Sequence, residues 1–310
     1  MASSSSLPPG HGRVVVSSHA AKAVFAELAS TYPLKLLSPR VAGDGVAVVY
    51  VMGYGGGLVG GDEVFLTVEV QRQASLVLLT QGSTKVFKTR IGARLASGTR
   101  PHTFQDRTLT VQTMSYRVGS GSSLFLLPEP VTCFRNASYN QIQTFDLEET
   151  ASLVLLDSIT EGRQAQGEDW DLSRYYSMNR VKIGKNLVAN DVLLLEDQGH
   201  GPQTPGLPSR SLRDQLAPYS CYAMAILCGP QVQDTIKDIA EQYEPLAVYQ
   251  RRTAEDCIWS FSPLDAATTF QAAIVRVAGK EAQLVRSRLK IILRQLEGVV
   301  GVDVYRRAFA

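Results

Sequence analysis

Ala74-Ser75-Leu76-Val77-Leu78-Leu79 is the stretch on which the fold turns, because the chain repeats it unchanged at Ala151-Ser152-Leu153-Val154-Leu155-Leu156. A looser copy, Gly121-Ser122-Ser123-Leu124-Phe125-Leu126-Leu127, lies between them. Small residues suited to a turn open each copy, an aliphatic run follows, and a polar strand-like segment precedes it (TVEVQRQ, MSYRVGSG and TFDLEET). The spacing predicts one hairpin-like unit used three times, stacked so that the Leu and Val faces share a core. The intervals between copies are unequal, which rules out a strict repeat.

Outward from the repeat, Val64, Leu66, Val68 and Val70 alternate with Phe65, Thr67, Glu69 and Gln71, the period of two that marks a strand. From Val46 to about Leu195 the chain is a series of short β-branched and aliphatic runs broken by Gly, Ser and Asn. Helical spacing appears only late. Val232, Ile236, Ile239 and Tyr243 share one face after Pro230, and Ala282, Val285, Leu289, Ile292 and Leu296 form a second stripe ending at Gly298. Val299–Tyr305 reads as a closing strand. The expected fold is mainly β: layered antiparallel, solenoid-like stacked hairpins with two C-terminal helices, centred near 231–243 and 280–297. Residues 1–12, rich in Ser, Pro and Gly, are expected to form a disordered tail, and 13–310 a single β-rich domain.

Composition narrows the function classes. With 31 basic and 29 acidic side chains the net charge is +2, no footprint for nucleic acid or an anionic membrane. No secretory leader is visible at the N-terminus, and no apolar run reaches the roughly 20 residues of a membrane-crossing helix. The four cysteines, Cys133, Cys221, Cys228 and Cys257, are scattered, as reduced buried thiols would be. A cytoplasmic location is expected.

Motifs for chemistry are incomplete. Gly55-Gly56-Gly57-Leu58-Val59-Gly60 satisfies G-x-G-x-x-G, but a dinucleotide site needs a helix to start there, and a strand pattern follows instead. The glycines read as a turn between strands, with Gly57 and Gly60 supplying positive φ or close backbone approach. Gly82-Ser83-Thr84-Lys85 is not a phosphate loop. His11, His19, His102 and His200 lie in separate segments. Acids at turns and strand ends, namely Asp62, Glu129, Asp157, Glu161, Glu168 and Asp169, are the better candidates for a site.

In order along the chain, Gly56-Gly57-Leu58-Val59-Gly60-Gly61-Asp62, Thr80-Gln81-Gly82-Ser83-Thr84-Lys85-Val86-Phe87-Lys88 and Leu127-Pro128-Glu129-Pro130 with Phe134 form a recognisable series. Gly162-Arg163, Gly167-Glu168-Asp169-Trp170 and Arg276-Val277-Ala278-Gly279-Lys280 continue it. The series resembles the UreD (UreH) urease accessory proteins over roughly residues 40–310, and Pro218-Tyr219-Ser220 looks like the eukaryotic, fungal or plant-like branch. The resemblance implies a non-enzymatic scaffold that joins UreF and the GTPase UreG on apo-urease. It also implies nickel in transit, with no permanently bound cofactor and no small-molecule substrate.

A relay must release its ion, and nickel stands high in the divalent affinity order, so scattered carboxylates suit transit better than a closed Cys/His site. The candidates at motif positions are Asp62, Glu129 and Glu168, expected to line or flank a wet passage between β layers. The competing expectation is that they cap turns or pair with Arg163 and Lys85. From another class, a β-solenoid carbohydrate-active enzyme or binding module would require paired catalytic carboxylates or exposed aromatics. Trp170 and Trp259 are a thin supply for the latter.

Overall fold

The computed structural model describes residues 7–41, 45–88, 109–196, 210–248, 255–265 and 269–310. The chain opens with strands β1 (His11–His19), β2 (Lys22–Ser30), β3 (Leu34–Leu37) and β4 (Ala47–Gly53). Next come β5 (Glu63–Val70), β6 (Ser75–Leu79), β7 (Thr84–Val86), β8 (Thr110–Val118), β9 (Ser123–Leu126) and β10 (Val131–Cys133). Strands β11 (Ser138–Leu147), β12 (Ser152–Thr160), β13 (Arg174–Ile183) and β14 (Asn186–Glu196) follow, then helix α1 (Leu212–Leu216) and β15 (Cys221–Cys228). The C-terminal part holds α2 (Gln233–Val248), β16 (Cys257–Leu264), β17 (Ala272–Gly279), α3 (Ala282–Ile292), α4 (Leu296–Val300) and α5 (Val302–Ala308).

Strand residues outnumber helical ones more than two to one, so the protein is mainly β, as its patterning predicts. One sheet runs β14-β13-β11-β8-β5-β1-β2. The other runs β16-β17-β15-β12-β9-β6-β4-β3, with β10 beside β12 and β7 beside β10.

The repeated phrase falls on β6, β9 and β12, and there the structure corrects the expected solenoid-like stack of antiparallel hairpins. The three strands lie side by side and parallel, in register: Ser75, Ser123 and Ser152 align, as do Leu76, Leu124 and Leu153. The polar strand before each copy belongs to the opposite sheet, where β5, β8, β11 and β13 are likewise parallel. Each small-residue turn therefore carries the chain across from one sheet to the other. The physical reason is burial on both faces. Leu76, Leu78, Leu124, Leu126, Leu153 and Leu155 point between the sheets. Val77, Leu79, Phe125, Leu127, Val154 and Leu156 point outward, beneath the helices. A near-continuous aliphatic run is what a parallel strand covered on both sides requires, whereas a strand with one wet face alternates.

The two expected helices are present as α2 and α3. Val232, Ile236 and Ile239 are buried, as are Val285, Leu289, Ile292 and Leu296. Val299–Tyr305, expected as a strand, is instead divided between α4 and α5 around Gly301, whose φ is +88°. The buried side chains of α4 and α5, Leu296, Val300, Val304 and Tyr305, recur at helical spacing rather than every second residue. At the other end β1 begins at His11 and pairs with both β2 and β5, which takes the last two residues of the expected 1–12 tail into the sheet. The Pro/Gly stretch 199–208, His102 and His200 lie outside the described residues.

Candidate functional site

Polar side chains are concentrated between the two sheets, where a core would ordinarily be apolar. The parallel register of β8, β11 and β13 lines up Gln112, Gln141 and Ser177 in one row, and Met114, Gln143 and Asn179 in the next. Both rows occupy the inward positions of their alternating strands, and the Gln, Ser and Asn residues among them are buried. Opposite them, Asp157 interrupts the aliphatic run of β12.

The Asp157 carboxylate is held by neutral donors. Ser177 Oγ donates at 2.5 Å and Asn179 Nδ2 at 2.7 Å to Oδ2, while Gln141 Nε2 donates at 3.1 Å to Oδ1. The donors are themselves oriented: Gln143 Nε2 donates to Asn179 Oδ1, Tyr116 Oη to Gln143 Oε1, and Tyr139 Oη to Gln141 Oε1. Burial pushes the Tyr116, Tyr139 and Tyr175 phenols far above their usual range, so they act as fixed neutral donors. Among the described residues no Lys or Arg forms an ion pair with Asp157. An anionic group inside a protein without a cation is costly unless hydrogen bonds surround it, as they do here.

Three cavities meet near this group. One, of about 150 Å³, extends inward from Gly56, Gly57 and Lys85 to Gln112, Gln141 and Asp157. A second, of about 540 Å³, lies between β14 and β16, walled by Leu193, Leu216, Met224 and Ile258, and also reaches Asp157 and Ser158. The third is about 80 Å³, under α3, and shares Glu129 and Ser158 with the first.

The three acids expected at a passage are placed apart. Glu129 lines a cavity junction, where its carboxylate pairs with Arg286 Nη2 at 2.5 Å. Asp62 is 2% exposed and closes the turn before β5 by accepting the Val59 N–H at 2.9 Å. Its Oδ1 is buried with no partner, and burial raises its pKa against the pull of that hydrogen bond. Glu168 is ion-paired with Arg163, which donates from Nε, Nη2 and its backbone N–H. Arg163 holds the Glu168 pKa below its usual value, opposed by burial. Pairing with Arg163 is thus seen for Glu168. Among the described residues no three His, Cys, Asp or Glu side chains gather closely enough to hold a metal.

Two acids have a more active environment than the sequence alone indicates. Asp157 is one, and its signal was a lone carboxylate within an aliphatic strand. Glu161 is the other: buried at the end of β12, it accepts from Gln164 and lies against Asp169. Its carboxyl is pushed up to about 7, chiefly by burial and also by Asp169, against the opposing pull of Gln164 and Arg213.

The glycine turn packs as a backbone element. Leu58 N–H donates to Lys85 O and Phe87 N–H to Leu58 O, both at 2.8 Å, and a strand, β5, follows it. Gly55, Gly56 and Gly61 take positive φ, while Gly57 is extended at φ 167° and Gly60 is not among the left-handed residues. Gly57 is required for a different reason: a Cβ there would stand 2.5 Å from Lys85 O. Neither tryptophan stands free for sugar stacking: Trp170 is buried and Trp259 packs against Tyr243 at 5.1 Å.

Among the described residues no helix is long and apolar enough to cross a membrane. The family model for the UreD urease accessory protein matches residues 9–307. Urease accessory protein 4 of Cryptococcus neoformans var. grubii is 36% identical, covering 97% of this chain and 95% of the relative. Urease accessory protein UreD of Sorangium cellulosum is 33% identical, covering 96% and 84%, and urease accessory protein D of Arabidopsis thaliana is 31% identical, covering 95% and 99%.

Proposed function

The chain belongs to the UreD family of urease accessory proteins, and from that premise we propose that it is a non-enzymatic scaffold, joining UreF and the GTPase UreG on apo-urease and passing nickel through its interior. The observation that carries the passage is the Asp157 carboxylate, fixed by Gln141, Ser177 and Asn179 and reached from two cavities. Among the described residues no three His, Cys, Asp or Glu side chains close around this carboxylate, and such an open oxygen site suits a cation that has to leave again. Asp157 supplies negative charge at the meeting point, and Glu129, paired with Arg286, stands at the side branch. Asp62 and Glu168 shape the turns that flank the route. Nothing in the passage requires a bond to be made or broken, in keeping with a role outside catalysis, and the work is done in the cytoplasm.

A docking role is supported by the open side of the molecule. Val192 and Leu193 on edge strand β14 and Ile258 on edge strand β16 are exposed and line the larger cavity, and Leu187 and Leu194 are exposed elsewhere on β14. Grouped exposed aliphatics on two sheet edges are what a partner surface would cover.

Two measurements test the proposal. Tagged chain should capture UreF and UreG from cell extract, and a soluble chain that ignores both removes the scaffold role. Asp157→Asn keeps shape but loses the charge. The variant should fold and bind its partners, yet activate urease several-fold less at limiting nickel; normal activation by this variant rejects the passage.

A further inference from the structure

Glu129 is the one expected passage acid that reaches a cavity, and it is not free to meet a cation. It stands between Pro128 and Pro130, whose rings restrict the local backbone, and its N–H donates to Thr80 Oγ1 at 2.8 Å. That rigidity presents the carboxylate at the junction where the interior cavity and the small cleft under α3 share Pro128, Glu129 and Ser158. The cation already there belongs to the protein. Arg286 comes from α3, and its Nη2 sits 2.5 Å from Glu129 Oε1.

The pairing is incomplete on the arginine side. Among the described residues Arg286 Nε is buried without an acceptor, and the ion pair seen for the guanidinium is that of Nη2 with Glu129. An arginine matched to a carboxylate for stability alone tends to use its planar fork in two parallel bonds. The element carrying Arg286 is a helix packed on a sheet face. Helix α3 is attached through the side chains of Val285, Leu289 and Ile292, not through a strand ladder, and packed helices can slide by small amounts when a neighbour binds.

We propose that Arg286 is an internal stand-in for a cation: it occupies Glu129 in the free chain, keeps divalent ions off that carboxylate, and uncovers it when α3 shifts. The side branch is then closed to nickel until a partner displaces the helix. This regulation rests on the passage reading for its purpose, but the masking is a property of the chain alone and is measured separately.

The test is nickel(II) titration of the purified full chain by calorimetry, with Asp157 intact. Arg286→Met removes the charge while keeping much of the apolar stem, and should raise nickel affinity roughly tenfold or more, because it leaves Glu129 unpaired. Adding Glu129→Gln to Arg286→Met should cancel the gain, and Arg286→Lys, which keeps the charge, should titrate like the wild type. Melting curves establish that each variant is folded. The proposal is overturned if Arg286→Met binds nickel no more tightly than the wild type, or if the gain survives Glu129→Gln. Either result leaves the Asp157 passage to be judged by its own activation assay.

Discussion

Glu161 shows how a single side chain sets a pH dependence. Its carboxyl is raised by burial from 4.5 to about 7, so the folded chain holds a proton that the unfolded chain releases. The stabilisation is therefore complete below about 4.5 and is lost as pH rises through about 7. We expect the melting temperature to fall between about pH 4.5 and pH 7, and Glu161→Gln to flatten that slope, because a glutamine stays neutral throughout. Equal slopes for wild type and variant would reject this account. Gly57 makes a steric case at the same scale. A methyl group there meets Lys85 O at 2.5 Å, in β7, and Phe87 Cε2 at 2.5 Å, just after it. Gly57→Ala should cost about 1–3 kcal/mol in denaturant unfolding, as overpacked sites do, with no nucleotide binding to lose.

Among elements, β14 is the one whose sequence conflicts with a solitary existence. Among the described residues it pairs only with β13, yet it carries Leu187, Val192, Leu193 and Leu194 exposed on its eleven residues. A long apolar edge is a ready template for pairing with another chain. Leu194→Lys should leave unfolding free energy within about 0.5 kcal/mol of wild type, since little packing is lost. It should raise the solubility of the isolated chain and weaken capture of UreF. Solubility and capture both unchanged would mean that this edge is not a docking surface.

For the whole molecule, the second sheet is the shared wall of two cores. Its inner leucines pack against the first sheet, and its outer face packs under α2, α3, α4 and α5. Loss of either core would expose the other, so one cooperative transition is expected. The two tryptophans report on it independently: Trp170 belongs to the inner core, and Trp259 packs against the helical layer. Trp170→Phe and Trp259→Phe, each leaving one fluorophore, should melt with coincident midpoints after correction for their own stability changes. Two separated transitions would show the helical layer to be an independent unit.

What the sequence determined by itself was local. Period-two alternation gave strands such as β5, and the stripes at Val232–Tyr243 and Ala282–Leu296 gave helices, because side-chain direction repeats with the backbone. The copies of Ala-Ser-Leu-Val-Leu-Leu marked three equivalent strands, and in the structure Ser75, Ser123 and Ser152 align. Strand direction was beyond its reach: whether a small-residue turn closes a hairpin or crosses between sheets depends on which neighbours cover the aliphatic run. Helical spacing in Leu296–Phe309 was hidden by its β-branched valines, whose strand preference tertiary packing overrode. The site divided in the same way. Acids at motif positions were legible, but Glu129 meets Arg286 only because α3 folds back over the sheet. Asp157 gains its role only when register brings Gln141, Ser177 and Asn179 from other strands to its two oxygens. A carboxylate's charge is written in its residue type; what surrounds that charge, and so whether it caps a turn, pairs or waits for a cation, is decided by groups distant in the chain.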